Sequence, residues 1–109
     1  MNQPLAGVFH ALGDPTRLAV LERLSRGPAT VSELAEPFDM ALPSFTQHLA
    51  VLEDAGLVRS RKKGRVRTCE LALKPLDLAG DWMARRRELW TRRLDQLDDY
   101  LLKLKEKSK

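Results

Sequence analysis

Between Arg59 and Arg67 the chain carries six basic side chains, Arg59, Arg61, Lys62, Lys63, Arg65 and Arg67, and no acidic one. Four of them crowd into Arg61-Lys62-Lys63-Gly64-Arg65. Shortly upstream stands Pro43-Ser44-Phe45-Thr46-Gln47-His48, short and polar apart from its one phenylalanine. Cationic clusters neutralise phosphates, while Ser, Thr and Gln can hydrogen-bond the edges of bases. A charge run alone is usually a solvated face. Its position directly after a segment suited to reading bases favours duplex DNA as the target of both.

The remaining reactive residues offer no competing chemistry. Ser44 and His48 share one segment with no third group to orient them, and Asp14 does not complete a triad. There is no glycine loop of the phosphate-binding kind, so catalysis is not expected. The only imidazole or thiol ligands, His10, His48 and Cys69, fall in three different segments. A transition-metal site needs three or four such ligands together, so neither metal nor cofactor is expected. Cys69 is the only cysteine, which excludes an intramolecular disulfide and suits a reducing cytoplasm. It shares a strand face with Leu71 and Leu73 and reads as a half-buried filler.

These residues need elements to position them. Leu5, Val8, Phe9 and Leu12 predict a first helix over Pro4 to Leu12, ended by Gly13. Asp14-Pro15 caps and opens a second, with Leu18, Val20, Leu21 and Leu24 on its apolar side, and Ser25-Arg26-Gly27-Pro28 stops it. Thr30-Val31-Ser32-Glu33 reads as a capping box for a short third helix. After a turn at Phe38–Ala41, a fourth helix runs over 42–55, with Gly56 just beyond its end. At 100° per residue, Leu42, Phe45, Leu49 and Leu52 form its buried sector. Pro43, Ser44, Gln47, Ala50, Val51 and Asp54 lie opposite, and Thr46 and His48 flank. Leu57–Arg61 and Arg65–Leu73, joined by Lys62-Lys63-Gly64, predict a hairpin. A long helix over about 76–105 follows, with Gly80 as a candidate interruption and frayed residues from Lys105. The fold class is mainly α with a small β-hairpin, in the order helix, helix, short helix, helix, hairpin, long helix. That is the layout of a winged helix-turn-helix.

Several stretches carry a family resemblance: Phe9-His10-Ala11-Leu12-Gly13-Asp14-Pro15-Thr16-Arg17-Leu18, Val31-Ser32-Glu33-Leu34-Ala35, Gln47-His48-Leu49, and Leu52-Glu53-Asp54-Ala55-Gly56-Leu57-Val58. With the Gly64-Arg65 turn, they cover about residues 5 to 73. The chain resembles the ArsR/SmtB (arsenic-repressor type) regulators. The resemblance implies operator binding as a dimer, repression relieved by an effector, and base or phosphate contacts from Ser44, Thr46 and Gln47. Two departures matter. The position that often carries a capping hydroxyl ahead of the fourth helix is Ala41. Where metal-sensing members place Cys-Val-Cys, this chain has Thr30-Val31-Ser32, and its last helix has no histidine. The expected DNA-contacting set is Pro43, Ser44, Thr46, Gln47, His48, Arg61, Lys62, Lys63 and Arg65.

The last helix repeats apolar residues at Trp90, Leu94, Leu97, Tyr100 or Leu101, and Leu104, spacings of four and three that suit packing on a partner. One small domain can hardly bury both this stripe and that of the first helix. A homodimer is therefore expected, built from Leu5, Val8, Phe9 and Leu12 with Trp90, Leu94, Leu97 and Leu101. Such an interface is where a small-molecule effector would act, and the sequence names none. Arg85-Arg86-Arg87 reads as a solvated face paired with nearby carboxylates.

The 109 residues suit a single domain, and the net charge of +4 suits a polyanionic partner. No apolar run is long enough to span a membrane, and Met1-Asn2-Gln3-Pro4 shows no secretory leader, so a cytoplasmic protein is expected. An alternative is a winged-helix module that binds protein rather than DNA. Such a module should have lost the basic hairpin and the polar helix face, and both are present here.

Overall fold

The computed structural model describes residues 4–108; Lys109 and Met1–Gln3, on which the leader reading rests, lie outside the described residues. The elements are α1 (Pro4–Leu12), α2 (Pro15–Leu24), β1 (Ala29–Thr30), α3 (Val31–Ala35), α4 (Leu42–Asp54), β2 (Val58–Lys63), β3 (Val66–Leu71) and α5 (Lys74–Lys107). The chain divides into two compact units, the first reaching to Ala79 and the second starting at Gly80.

Local chemistry sets the boundaries in the first unit. Asp14 accepts from the backbone N–H of Arg17 at 3.1 Å, and Pro15 supplies the preset first residue of α2. That N–H is the main reason the Asp14 carboxyl is held below its usual range, with the Arg17 guanidinium adding to it. Thr30 and Glu33 make both bonds of the capping box at 3.1 Å each, and the Thr30 N–H and hydroxyl lower the Glu33 carboxyl in the same way. At the end of α4, Gly56 donates to the Glu53 carbonyl and Leu57 to that of Leu52, both at 2.9 Å. This double bond pattern needs a left-handed residue between them, and Gly56 has φ +75°. The helix is thereby stopped and the chain turned into the sheet.

The sheet is antiparallel in the order β1-β3-β2. Strand β1 escaped the sequence reading because two residues carry no periodicity; its pairing of Ala29 with Cys69 and Thr30 with Thr68 is a tertiary event. The hairpin turn is Gly64-Arg65, with Gly64 at φ +64°, so Lys62 and Lys63 belong to β2 rather than to the connection. Right-handed strand twist favours a two-residue turn whose first position has positive φ, and glycine supplies it.

The core lies under α4. Phe45, Leu49, Leu52, Leu57, Val8, Val20 and Cys69 are the largest fully buried side chains. The Phe38 ring packs on Phe45 with centroids 5.6 Å apart. Cys69 is wholly buried rather than half-buried, and burial pushes its thiol up. Two expectations about the apolar faces are corrected. Leu42 is 56% exposed, because it opens α4 before the helix has reached the core. Val8 is 1% exposed within its own unit, leaving no surface to offer a partner; Leu5, Phe9 and Leu12 are only partly buried. Phe45→Ala should cost about 3–5 kcal/mol, because the aromatic at the centre of this core leaves a cavity its neighbours cannot refill. Urea unfolding at fixed protein concentration measures it.

The second unit is helical from Gly80 onward. Gly80 does not interrupt α5, and the helix continues through Lys107, past the point where fraying was expected. Arg86 lies over the Trp82 ring at 5.3 Å and Arg93 over Trp90 at 5.7 Å, so aromatic faces rather than carboxylates engage these guanidiniums. No helix among the described residues is long and apolar enough to cross a membrane.

Candidate nucleic-acid interface

Helix α4 begins without a side-chain cap: Ala41 has extended backbone and offers no oxygen. Its stability comes from Phe45, Leu49 and Leu52, each 0% exposed. Anchoring by one face leaves the other free. Pro43, Ser44 and Gln47 are exposed, and Thr46 and His48 are half-buried on the flanks, as the helical spacing predicts. The Thr46 hydroxyl donates to the Pro43 carbonyl at 2.9 Å, so its oxygen is left as an acceptor. His48 is tied back into the protein: its Nδ1 lies 3.1 Å from Arg17 Nη1 and 3.6 Å from Asp14 Oδ2.

In the hairpin the six cations divide. Arg59 faces Glu70 across the strands at 3.5 Å, an exposed pair worth little. Arg67 bonds Glu53, its Nε also donates to the Ser60 hydroxyl at 3.0 Å, and that hydroxyl donates to Glu53 at 3.2 Å. This cluster joins the last turn of α4 to both strands of the hairpin and sets the angle between them. Arg61, Lys62, Lys63 and Arg65 are exposed, and among the described residues none has a carboxylate partner.

The start of α3 and the hairpin border a groove of about 330 Å³ lined by Thr30, Val31, Ser32, Arg65, Val66 and Arg67, which α4 reaches only through Leu42. Its lining offers two hydroxyls, the Arg65 guanidinium and two exposed aliphatic side chains, groups of the kind that contact a sugar-phosphate strand, while Arg67 is held by Glu53. Among the described residues, no group of three His, Cys, Asp or Glu is placed to hold a metal ion. His10, His48 and Cys69 remain in α1, α4 and β3.

Residues 12–61 match the model of a helix-turn-helix domain family. The chain is 34% identical over 76 residues to the transcriptional repressor SdpR of Bacillus subtilis, covering 70% of this chain and 84% of that protein. Among solved structures, the crystal structure of an ArsR family transcriptional regulator matches at 60% identity and a TM-score of 0.79, over 82% of this chain and 98% of that one. The chain belongs to the ArsR family. Its fold is the winged helix-turn-helix of that family, α3 and α4 forming the helix-turn-helix and β2–β3 the wing. Like its relatives, this ArsR protein is a DNA-binding transcriptional regulator and not an enzyme. A homodimeric winged helix-turn-helix DNA-binding domain of Mycobacterium bovis, a possible ArsR-family regulator, also matches at 28% identity and a TM-score of 0.58, over 84% of this chain and 79% of that one.

In this ArsR chain the structure adds residues the sequence reading passed over. Arg17, Glu53 and Ser60 orient the interface without belonging to its exposed face. Thr30, Ser32 and Val66 line its groove. The Arg17–His48 and Glu53–Arg67 pairs span 31 and 14 residues, so no local pattern could have signalled them.

Proposed function

We propose that this ArsR protein is a homodimeric repressor that binds a palindromic operator, with α4 in the major groove and the wing on the flanking backbone. Pro43, Ser44, Thr46 and Gln47 face base edges and nearby phosphates, and Arg61, Lys62, Lys63 and Arg65 hold the strand beside them. The two compact units then act as one functional domain, a reading head and a dimerisation helix. The observation that carries the reading is the tie between α4 and the wing. Glu53, in the last turn of α4, bonds Arg67 of β3, so the uncharged polar face of α4 is braced to the hairpin that carries Arg61, Lys62, Lys63 and Arg65, which have no carboxylate partner among the described residues. A solvated charge run would have no reason to be braced against that helix.

Dimerisation has two supports. Among the described residues the apolar stripe of α5 is exposed, with Trp90 at 60% and Leu94 at 55%. The winged helix-turn-helix domain of Mycobacterium bovis that this chain resembles is homodimeric. Two recognition helices about 34–36 Å apart would enter successive major grooves. Half-buried Leu5, Phe9 and Leu12 of α1 complete the proposed interface. Occupancy of an operator blocks transcription, as the name of the SdpR relative suggests. The protein works where its DNA lies, in the cytoplasm.

Gln47 is the longest amide on the exposed face, suited to bidentate pairing with adenine. In a gel shift against a duplex selected from a random pool, Gln47→Ala should lose about tenfold or more in preference for that duplex over random DNA, while dimerisation persists. Unchanged preference would remove Gln47 from the reading surface. Recovery of no palindrome by the native protein would refute the operator proposal as a whole.

A further inference from the structure

Arg17 is anchored before it reaches α4. Its Nε donates to the Ala11 carbonyl at 2.7 Å, at the end of α1, and its Nη2 to the His10 carbonyl at 3.1 Å, which also accepts from the Gly13 N–H. With the guanidinium held at two points, Nη1 is aimed at His48 Nδ1, 3.1 Å away. A guanidinium has only donors. His48 Nδ1 must therefore accept, and in the neutral ring the proton resides on Nε2. The competing arrangement would have Nδ1–H donate to Asp14. That oxygen lies 3.6 Å away, beyond hydrogen-bond range, and already accepts from the Arg17 backbone.

The other edge of the ring is open. Among the described residues Nε2 has no hydrogen-bond partner and no buried side-chain nitrogen or oxygen lacks one, so Nε2 reaches solvent. His48 also stands one turn beyond Ser44 and next to Gln47, on the flank of the exposed face. We infer that Arg17 is a positioning residue that locks His48 in its Nε2–H tautomer, so that His48 presents a neutral N–H to a phosphate oxygen of the DNA backbone. This rests on the DNA-binding reading above and adds a contact that carries no counterion. Arg17, though basic, then acts through His48 and not by touching DNA.

The tautomer can be seen without DNA. Long-range proton–nitrogen correlation on histidine-labelled full-length protein at about pH 8, above the ordinary imidazole range, should show His48 protonated on Nε2 alone. His10→Gln removes the second, exposed histidine and assigns the signals. In Arg17→Met the pattern should shift toward a mixture of tautomers. An Nδ1–H ring in the native protein would overturn the inference, as would a native pattern in Arg17→Met. The contact is tested with a random-sequence duplex of about 30 base pairs, because phosphate binding needs no operator. A Gln side chain places an amide nitrogen near the Nε2 position and Asn reaches only the Nδ1 position. His48→Gln should bind within about twofold of the native protein, and His48→Asn about tenfold more weakly. Both should keep the native salt dependence, since a neutral donor releases no counterion. Equal binding by the two variants, or a reduced salt slope, would overturn the contact. Should the native protein bind no duplex at low salt, the DNA-binding reading fails and takes the phosphate contact with it. The spectrum still decides the role of Arg17.

Discussion

Leu97→Glu is expected to convert the protein from dimer to monomer in sedimentation and to weaken operator binding on the order of a hundredfold or more. From Gly80 onward α5 is exposed on nearly every side, and Leu89 alone is half-buried. Yet Leu97, Leu101 and Leu104, 49%, 51% and 46% exposed, continue the stripe begun by Trp90 and Leu94. Steps of four, three, four and three keep these residues on one seam, the spacing that packs one helix against another. Isolated helices are marginal in water, so the stripe needs a cover. The proposed cover is the same seam of a second copy. A glutamate at its centre must either shed its hydration in an apolar interface or force the helices apart. Gln96→Glu adds the same charge off the seam and should leave the dimer intact. A dimer that survives Leu97→Glu places the interface elsewhere.

Changing Arg61, Lys62, Lys63 and Arg65 together to alanine should reduce DNA affinity by about a thousandfold at physiological salt. It should also flatten the response to salt, by about 0.9 in the slope of log K against log salt for each phosphate contact removed. These four side chains carry no ion pair within the described residues, so their full charge is available to phosphate. Arg59→Ala is the internal control, because Glu70 already faces that guanidinium and its loss should change the slope little. Arg67→Ala should act differently again: it unties the wing from Glu53 and should weaken binding through misplacement of the wing. A fourfold variant with native affinity and native slope would show that the wing does not touch DNA.

Much of the fold was legible because it is written in local chemistry. Asp14-Pro15, the Thr30–Glu33 capping box and Gly56 each mark a helix boundary through bonds that close within a few residues. The buried stripe Phe45, Leu49 and Leu52 follows from helical geometry, and with it the exposed face of Pro43, Ser44 and Gln47. Where local rules met an end effect they erred. Leu42 has the right phase for burial but occupies the first turn, where no core lies beneath it. Val8 has the phase of a partner-facing residue, yet the first unit folds over it. Lys62 and Lys63 look like turn residues by charge, but the requirement for positive φ places the turn at Gly64-Arg65.

The sequence by itself determined the boundaries of the first four helices, the polar face of α4, the basic hairpin and the kind of partner they suit, since each depends on residues a few positions apart. Only the tertiary structure decided which cations remain available, because Glu53 and Glu70 reach Arg67 and Arg59 across the fold. It alone brought Arg17 to His48, and the two-residue β1 to β3. The physical reason is range. Capping and periodicity act within a turn or two of chain, whereas pairing between charged or hydrogen-bonding groups depends on distances that exist only once the core has closed.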